Sequence, residues 1–361
     1  MFTRTTNAAA RQAQDWLVRL CQVDSTSGRE TELATVLTTY LREAGADKVE
    51  IHPLGDGRCN VLATWGKPRL LFSTHLDTVP PYIAPVVRDG AVWGRGTCDA
   101  KGQIVAQLMA IQRLQEEGLG GFAWLGVAGE ETDSAGAASA AALKDRFSDC
   151  VALINGEPTE LKLAAGQRGV EHWCLRCVGR SAHSGSPELG SSASWTLIDW
   201  LTRLRGETLP VHPDLGPEIW NLGLMRGGEA TNVVSSHASA DLLARTVPGT
   251  RFRSALEATQ PPEGLVECKL AEPWDTYPAV PGFTQAPMPF GSDAPQLRQL
   301  IPDRTVVLVG PGSISVAHTP EEHLTLDDLM AGIDLLVELG RHFLGKKRGG
   351  PRARKHLVAA D

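Results

Sequence analysis

Apolar residues in the first half of the chain recur with two different periods. Over residues 8–20 they return every three to four positions, the spacing of one helical face. A second helical pattern covers 29–44 and stops at Gly45, and Ser27 with Glu30 reads as a capping box at its start. Strand-like patterns follow over 48–53 and 60–65, then an apolar strand over 69–74. A long amphipathic helix spans 102–117, a strand 122–128, a helix 135–144 and a strand 151–155. Strands alternating with helices predict an α/β sheet covered by helices on both faces.

The pattern changes near residue 170. Residues 171–178 alternate like a half-exposed strand, 191–205 form an amphipathic helix, and 218–226 and 238–246 are strand-like. A helix over 251–258 and a strand over 265–271 complete a β-α-β-β-α-β order, the ferredoxin-like unit. Pro273, Pro278 and Pro281 suit a hinge on its return side. The α/β pattern then resumes with 295–300, 305–309 and a final helix over 326–343. The expected organisation is one discontinuous α/β domain, 1–170 with 282–361, interrupted by an α+β insertion, 171–281. No internal repeat is visible.

Candidate chemistry sits where the strands end. His75-Leu76-Asp77, Gly129-Glu130-Glu131, Gly156-Glu157-Pro158-Thr159 and Ala317-His318-Thr319 each follow a predicted strand. Asp99 lies in the glycine-rich loop before the long helix. In an open α/β sheet the carboxyl ends of the strands form one rim, where ligands bind. Two histidines and three carboxylates on that rim are the inventory of a two-metal hydrolytic site. Taken singly the motifs are less decisive. His75 with Asp77 also fits a satisfied histidine at a strand end, Asp99 a helix cap, and His183, in a polar loop, a surface side chain. Of the adjacent carboxylates Glu130 and Glu131, one can bind metal while the other takes a proton from water. The loop ending Lys101-Gly102-Gln103 lacks the order of a phosphate-binding loop.

Composition narrows the classes. The chain has 361 residues with a formal net charge of −7, which disfavours nucleic acid as the main partner. A basic cluster, Lys346, Lys347, Arg348, Arg352, Arg354 and Lys355, runs against that balance and reads as a solvated end. Seven scattered cysteines argue against a disulfide framework. Cys174 and Cys177, three apart on a strand, point to opposite faces, so packing suits them better than a shared metal. With neither a signal-peptide pattern nor an apolar run of membrane-spanning length, the expectation is a cytoplasmic protein without membrane contact.

Taken together, the segments from Asp24-Ser25-Thr26-Ser27-Gly28-Arg29-Glu30 to His318-Thr319-Pro320-Glu321-Glu322-His323-Leu324 resemble the M20 family of dinuclear zinc amidohydrolases and exopeptidases. The resemblance implies a zinc-exopeptidase-like catalytic domain with a ferredoxin-like lid that also forms a homodimer. It implies two Zn2+ ions, with Co2+ or Mn2+ also suited to such ligands. His75 and Glu157 correspond to ligands of one ion, Glu131 and His318 to ligands of the other, and Asp99 to the bridge. Asp77 corresponds to the group orienting His75, and Glu130 to the general acid/base. His183 corresponds to a lid histidine that reaches the partner's site and stabilises the oxyanion. Asn232, Arg245 and Gly312 correspond to positions holding the substrate carboxylate.

Two departures stand out. Ala100 replaces a frequent methionine after the bridging aspartate. Phe290-Gly291-Ser292-Asp293-Ala294-Pro295 is nearest the acetylornithine deacetylases, with Asp293 in the place of an acid that faces substrate. The implied activity is hydrolysis of an N-acyl L-amino acid, acetylornithine deacetylase-like. A dipeptidase, carboxypeptidase or desuccinylase would share the same catalytic residues, and a non-catalytic metal-binding module would usually lack one of them.

Overall fold

The computed structural model describes residues 7–345; the basic cluster from Lys346 onward lies outside the described residues. Its main sheet has six strands in the spatial order Lys48–Gly55, Arg58–Trp65, Phe122–Val127, Leu70–His75, Ala152–Asn155, Thr305–Leu308. The last four run parallel to one another and the first two are antiparallel. The strands Leu70–His75, Phe122–Val127 and Ala152–Asn155 are buried along their whole length, as parallel strands covered on both faces should be. Side chains alternate between the two faces. Leu70 and Phe72 pack with Trp16, Leu17, Ile104 and Ile333 under the helices Asn7–Cys21, Lys101–Glu116 and Leu326–Leu344. Leu71 packs with Leu125, Leu153, Phe147 and Leu297 on the other face. This stacking aligns the carboxyl ends of the parallel strands, and with them His75, the Glu130–Glu131 turn and Glu157, along one rim.

Two local expectations are corrected. The helix Glu30–Glu43 has no side-chain cap. Glu30 Oε2 does accept the Gly28 N–H at 3.0 Å, but the Ser27 hydroxyl donates instead to Asp77 Oδ2 at 2.7 Å. The helix expected over 135–144 stays α-helical only over Ala135–Ala140, then tightens into a 3₁₀ helix, Ala141–Phe147, that drives Phe147 into the core.

A second sheet, spatially ordered Ile219–Gly227, His237–Thr246, Gly169–Val178, Gly264–Glu272, is antiparallel throughout. Helices Ala193–Arg205 and Phe252–Thr259 cover one face, sealing Trp173, Leu175, Trp200, Leu242 and Phe252. The first strand in sequence lies between the third and fourth, the ferredoxin-like arrangement. Cys177 joins this core, and Cys174 is buried and free, without a shared partner. Among the described residues, no helix is long and apolar enough to cross a membrane.

Candidate metal centre and substrate cleft

The strand Leu70–His75 ends in a buried imidazole. His75 Nε2 lies 2.8 Å from Asp99 Oδ1 and 4.0 Å from Glu157 Oε2. The second oxygen of Asp99 lies 3.3 Å from His318 Nε2, which is 3.0 Å from Glu131 Oε1. Two triads of metal-binding type thus converge, His75–Asp99–Glu157 and Asp99–Glu131–His318, joined by the two oxygens of Asp99. Glu130 forms a third group of this type with His75 and Glu131, so its carboxylate lies beside the two triads that share Asp99.

Asp77 organises this rim from behind. It is fully buried, and its Oδ1 accepts the backbone N–H groups of Gly129 and Glu130 at 3.1 Å. Its Oδ2 accepts from Glu131 N at 3.1 Å and from the Ser27 hydroxyl. Three consecutive N–H groups bound to one carboxylate fix the direction in which Glu130 and Glu131 leave the turn. His75 Nδ1 lies 2.9 Å from the Asp77 carbonyl and 3.5 Å from its carboxylate, which fixes the ring and leaves Nε2 for the centre. His318 holds a left-handed backbone, φ 63°, which is uncommon for a residue other than glycine.

The electrostatics describe a cluster made for cations. Burial pushes Glu130 and Glu157 well above the ordinary carboxylate range, and neighbouring carboxylates push them further. Glu131 is raised by burial and by the charge of Asp99. Hydrogen bonds to Asp99 and Glu131 raise His318 to about 10. Burial opposes a charged His75, yet Asp77 and Asp99 hold its pKa well above normal. Burial also opposes ionisation of Asp99, but His318 and His75 hold its pKa below the usual range. Glu157 Oε1 is buried without any hydrogen-bond partner. Two imidazoles, three carboxylates and an orphaned ligand oxygen fit a pair of divalent metal ions.

Above the centre lies a cleft of about 410 Å³, within the range of small-molecule sites. Its floor includes Asp99, Glu130, Glu131, Glu157 and His318, and its roof is the open face of the second sheet, with Val170, His172, Leu243, Arg245, Leu270 and Glu272. Arg245 therefore faces the centre. Other expected substrate groups do not line this cleft. Asp293 lies behind its wall: Phe290 and Gly291 face the cleft, while Asp293 is buried, with both oxygens unpaired, at the start of the short helix Ala294–Leu297. Burial raises its pKa to about 7. Gly312, at φ 84°, supports the Asp99 loop instead; a Cβ there would meet Cys98 Sγ at 2.6 Å. His183 and Asn232 are exposed on the second unit, where His183 pairs with Val233 and its Nδ1 accepts the Gly185 N–H.

Sequence reasoning overlooked Glu322. It is buried, its Oε1 accepts the N–H groups of Cys98 and Asp99 at 3.2 Å, and its Oε2 pairs with Arg95 at 2.6 Å. Its only signal was the acidic doublet Glu321-Glu322, three and four residues beyond His318, indistinguishable by pattern from a solvated turn.

A parallel α/β sheet carrying such a centre on its carboxyl rim, closed over by a second unit, defines a metal-dependent hydrolase. The chain belongs to peptidase family M20/M25/M40, whose model matches residues 71–342. It is similar to a probable carboxypeptidase of Aspergillus niger, 32% identical over 366 residues, covering 88% of this chain and 87% of the relative. Its fold resembles a tripeptidase from Staphylococcus aureus, TM-score 0.78 at 20% identity, covering 93% of this chain and 99% of that one. It also resembles a Bacillus subtilis protein described as a dinuclear metal-binding peptidase of the M20 family, TM-score 0.68 at 14% identity, covering 94% and 99% of the two chains.

Proposed function

We propose that the protein hydrolyses the amide bond joining an acyl or aminoacyl group to a C-terminal L-amino acid. The observation that carries this reading is Arg245. Its guanidinium lines the cleft, and no described residue forms an ion pair with it within 4.0 Å. A half-buried, unpaired guanidinium facing a catalytic rim is a carboxylate receptor. The N-acyl amino acid form, acetylornithine deacetylase-like, is the one the sequence motifs favour. The peptide form is supported by relatives whose names describe a carboxypeptidase and a tripeptidase.

His75, Asp99 and Glu157 would hold one ion and Asp99, Glu131 and His318 the other, with zinc the ion best suited to this donor set. Bound metal would polarise the scissile carbonyl and acidify the attacking water. Glu130, held at the edge of the centre by its N–H bond to Asp77, takes the proton from the water as its oxygen attacks the carbonyl carbon. The same carboxyl then delivers that proton to the amide nitrogen, the C–N bond breaks, and an acid and a free amino acid leave. Arg245 fixes the C-terminal carboxylate and so aligns the scissile bond with Glu130. Residues 171–281 act as the lid, and His183 is assigned to the oxyanion of a partner subunit's site.

The test is a hydrolysis panel on the zinc-loaded protein, comparing N-acetylornithine, other N-acyl amino acids and dipeptides with their C-terminal amides. Turnover confined to free carboxylates, and lost in Arg245→Ala with metal content intact, is the expected result. Equal cleavage of the amides would remove Arg245 from the site.

A further inference from the structure

The roof of the cleft carries an ordered row of opposite charges. Arg245 and Glu272 both lie opposite Val170, one on each neighbouring strand, and the next row places Leu243 and Leu270 opposite His172. Residues directly opposite in a ladder share a face, and all six line the cleft. Glu272 reaches this face only because the ladder slips between Cys268 and Leu270. Before the slip, Val266 and Cys268 lie opposite Leu175 and Trp173 and pack against the helix-covered core. After it, Leu270 and Glu272 turn to the cleft. An extra residue that re-aims side chains beside a reaction centre is a built feature.

The two charges leave each other unpaired. No ion pair within 4.0 Å joins Arg245 to Glu272, and among the described residues neither pairs with any other charge. Glu272 Oε1 takes a hydrogen bond from Ser134 Oγ at 2.6 Å, which steadies the carboxylate and leaves Oε2 without a hydrogen-bond partner among the described residues. Five carboxylates line the cleft: Asp99, Glu131 and Glu157 serve the metal centre, Glu130 is the proton carrier, and Glu272 has no task. Two opposite, half-buried charges held apart in one cleft are costly until ligand charges meet them.

We infer that Glu272 is a specificity-determining residue that receives a positive charge on the acyl side of the scissile bond, so that the preferred substrate is a dipeptide with a free N-terminal ammonium. This rests on the reading of Arg245 as the carboxylate receptor. The spacing agrees. Two strand steps put the Arg245 and Glu272 backbones about 10 Å apart. The terminal charges of an extended dipeptide are separated by about 7 Å. A free dipeptide therefore spans the row, carboxylate toward Arg245 and ammonium toward Glu272, with its one peptide bond above Glu130. An uncharged acyl group would leave Glu272 unpaired.

The test compares L-alanyl-L-alanine with N-propionyl-L-alanine, which lacks only the ammonium, on the zinc-loaded full chain. The wild type is expected to favour the dipeptide in kcat/KM by about tenfold or more, the range of one charge-assisted hydrogen bond. Glu272→Gln should erase that ratio by loss on the dipeptide alone. An unchanged ratio, or an equal fall on both compounds, would overturn the assignment, the latter showing that Glu272 only props the lid through Ser134. Calorimetric binding of both compounds to Glu130→Ala protein, with and without Glu272→Gln, reads the same ratio without turnover. Absence of hydrolysis by the wild type would thus defeat the proposed function alone, while a binding ratio insensitive to Glu272→Gln would defeat this inference.

Discussion

The Glu322 carboxylate holds the backbone N–H of Asp99 at 3.2 Å, and so fixes the residue whose two oxygens join the two triads of the candidate metal centre. Its other oxygen neutralises Arg95, which is as deeply buried as Glu322 itself. Removing the carboxylate strands a buried guanidinium and frees two N–H groups. Glu322→Ala is expected to cost roughly 3–5 kcal/mol in unfolding free energy, the range for breaking a buried ion pair from one side. Metal affinity should fall as well, because Asp99 loses its support. Chemical denaturation and metal titration would measure the two effects. Unchanged stability would mean that the Arg95–Glu322 pair is not formed in solution.

Glu130 borders the centre without belonging to either of the two triads joined through Asp99. Its removal therefore separates binding from turnover. Glu130→Ala should bind two metal ions per chain while kcat falls by about 10²–10⁴-fold, the usual contribution of general acid–base catalysis. Metal content by elemental analysis and a single-turnover assay report the two sides. Near-normal kcat would exclude Glu130 as the proton carrier.

Legibility in the sequence followed the range of the physical forces involved. The buried strands Leu70–His75, Phe122–Val127 and Ala152–Asn155 are continuous apolar runs, and the chemistry follows each strand end, so both sheet and rim could be anticipated. Ser27 was misread because its hydroxyl has two possible partners, the N–H donors of a local helix start and the Asp77 carboxylate fifty residues away, and only tertiary packing selects the second. Glu272 was invisible for a related reason. Its face depends on a slipped ladder, and registers are set between strands, not within one. Asp293 was placed in the substrate site by its neighbours in sequence, although the chain turns inward between Gly291 and the helix at Ala294.

Metal-free protein should lose stability as pH rises. His318 has its pKa raised from 6.5 to about 10 by Asp99 and Glu131, so its contribution is complete below 6.5 and is lost as pH climbs through about 10. Glu130, Glu131 and Glu157 are raised above 4.5, mainly by burial, so their ionisation also weakens the fold with rising pH. Asp99 has the opposite sign, but its window lies below the ordinary 3.8. Metal ions need the deprotonated ligands, so metal affinity should strengthen over the range in which the metal-free fold weakens. Thermal unfolding from pH 5 to 10, with and without zinc, would show a downward slope only in the metal-free protein. A slope of equal size in both would show that the ligand cluster does not control it.

His183 is exposed and absent from the cleft of its own chain, while the edge strand Ile219–Gly227 presents Ile219, Leu222, Leu224 and Met225 to solvent. An apolar edge strand with free backbone groups is a template for pairing with a second copy. A dimer through this edge, carrying His183 into the partner's cleft, would account for both observations. Leu222→Lys combined with Leu224→Lys should convert the dimer to monomer in sedimentation and abolish activity while the fold persists. Mixing tests the trans arrangement directly. His183→Ala and Glu130→Ala chains should each be inactive alone, yet a mixed dimer has one site with an intact Glu130 and an intact partner His183. Random subunit exchange should then restore activity to about a quarter of wild type, since half the dimers are mixed and each has one working site of two. A fully active monomer, or no recovery on mixing, would put the oxyanion donor within the same chain.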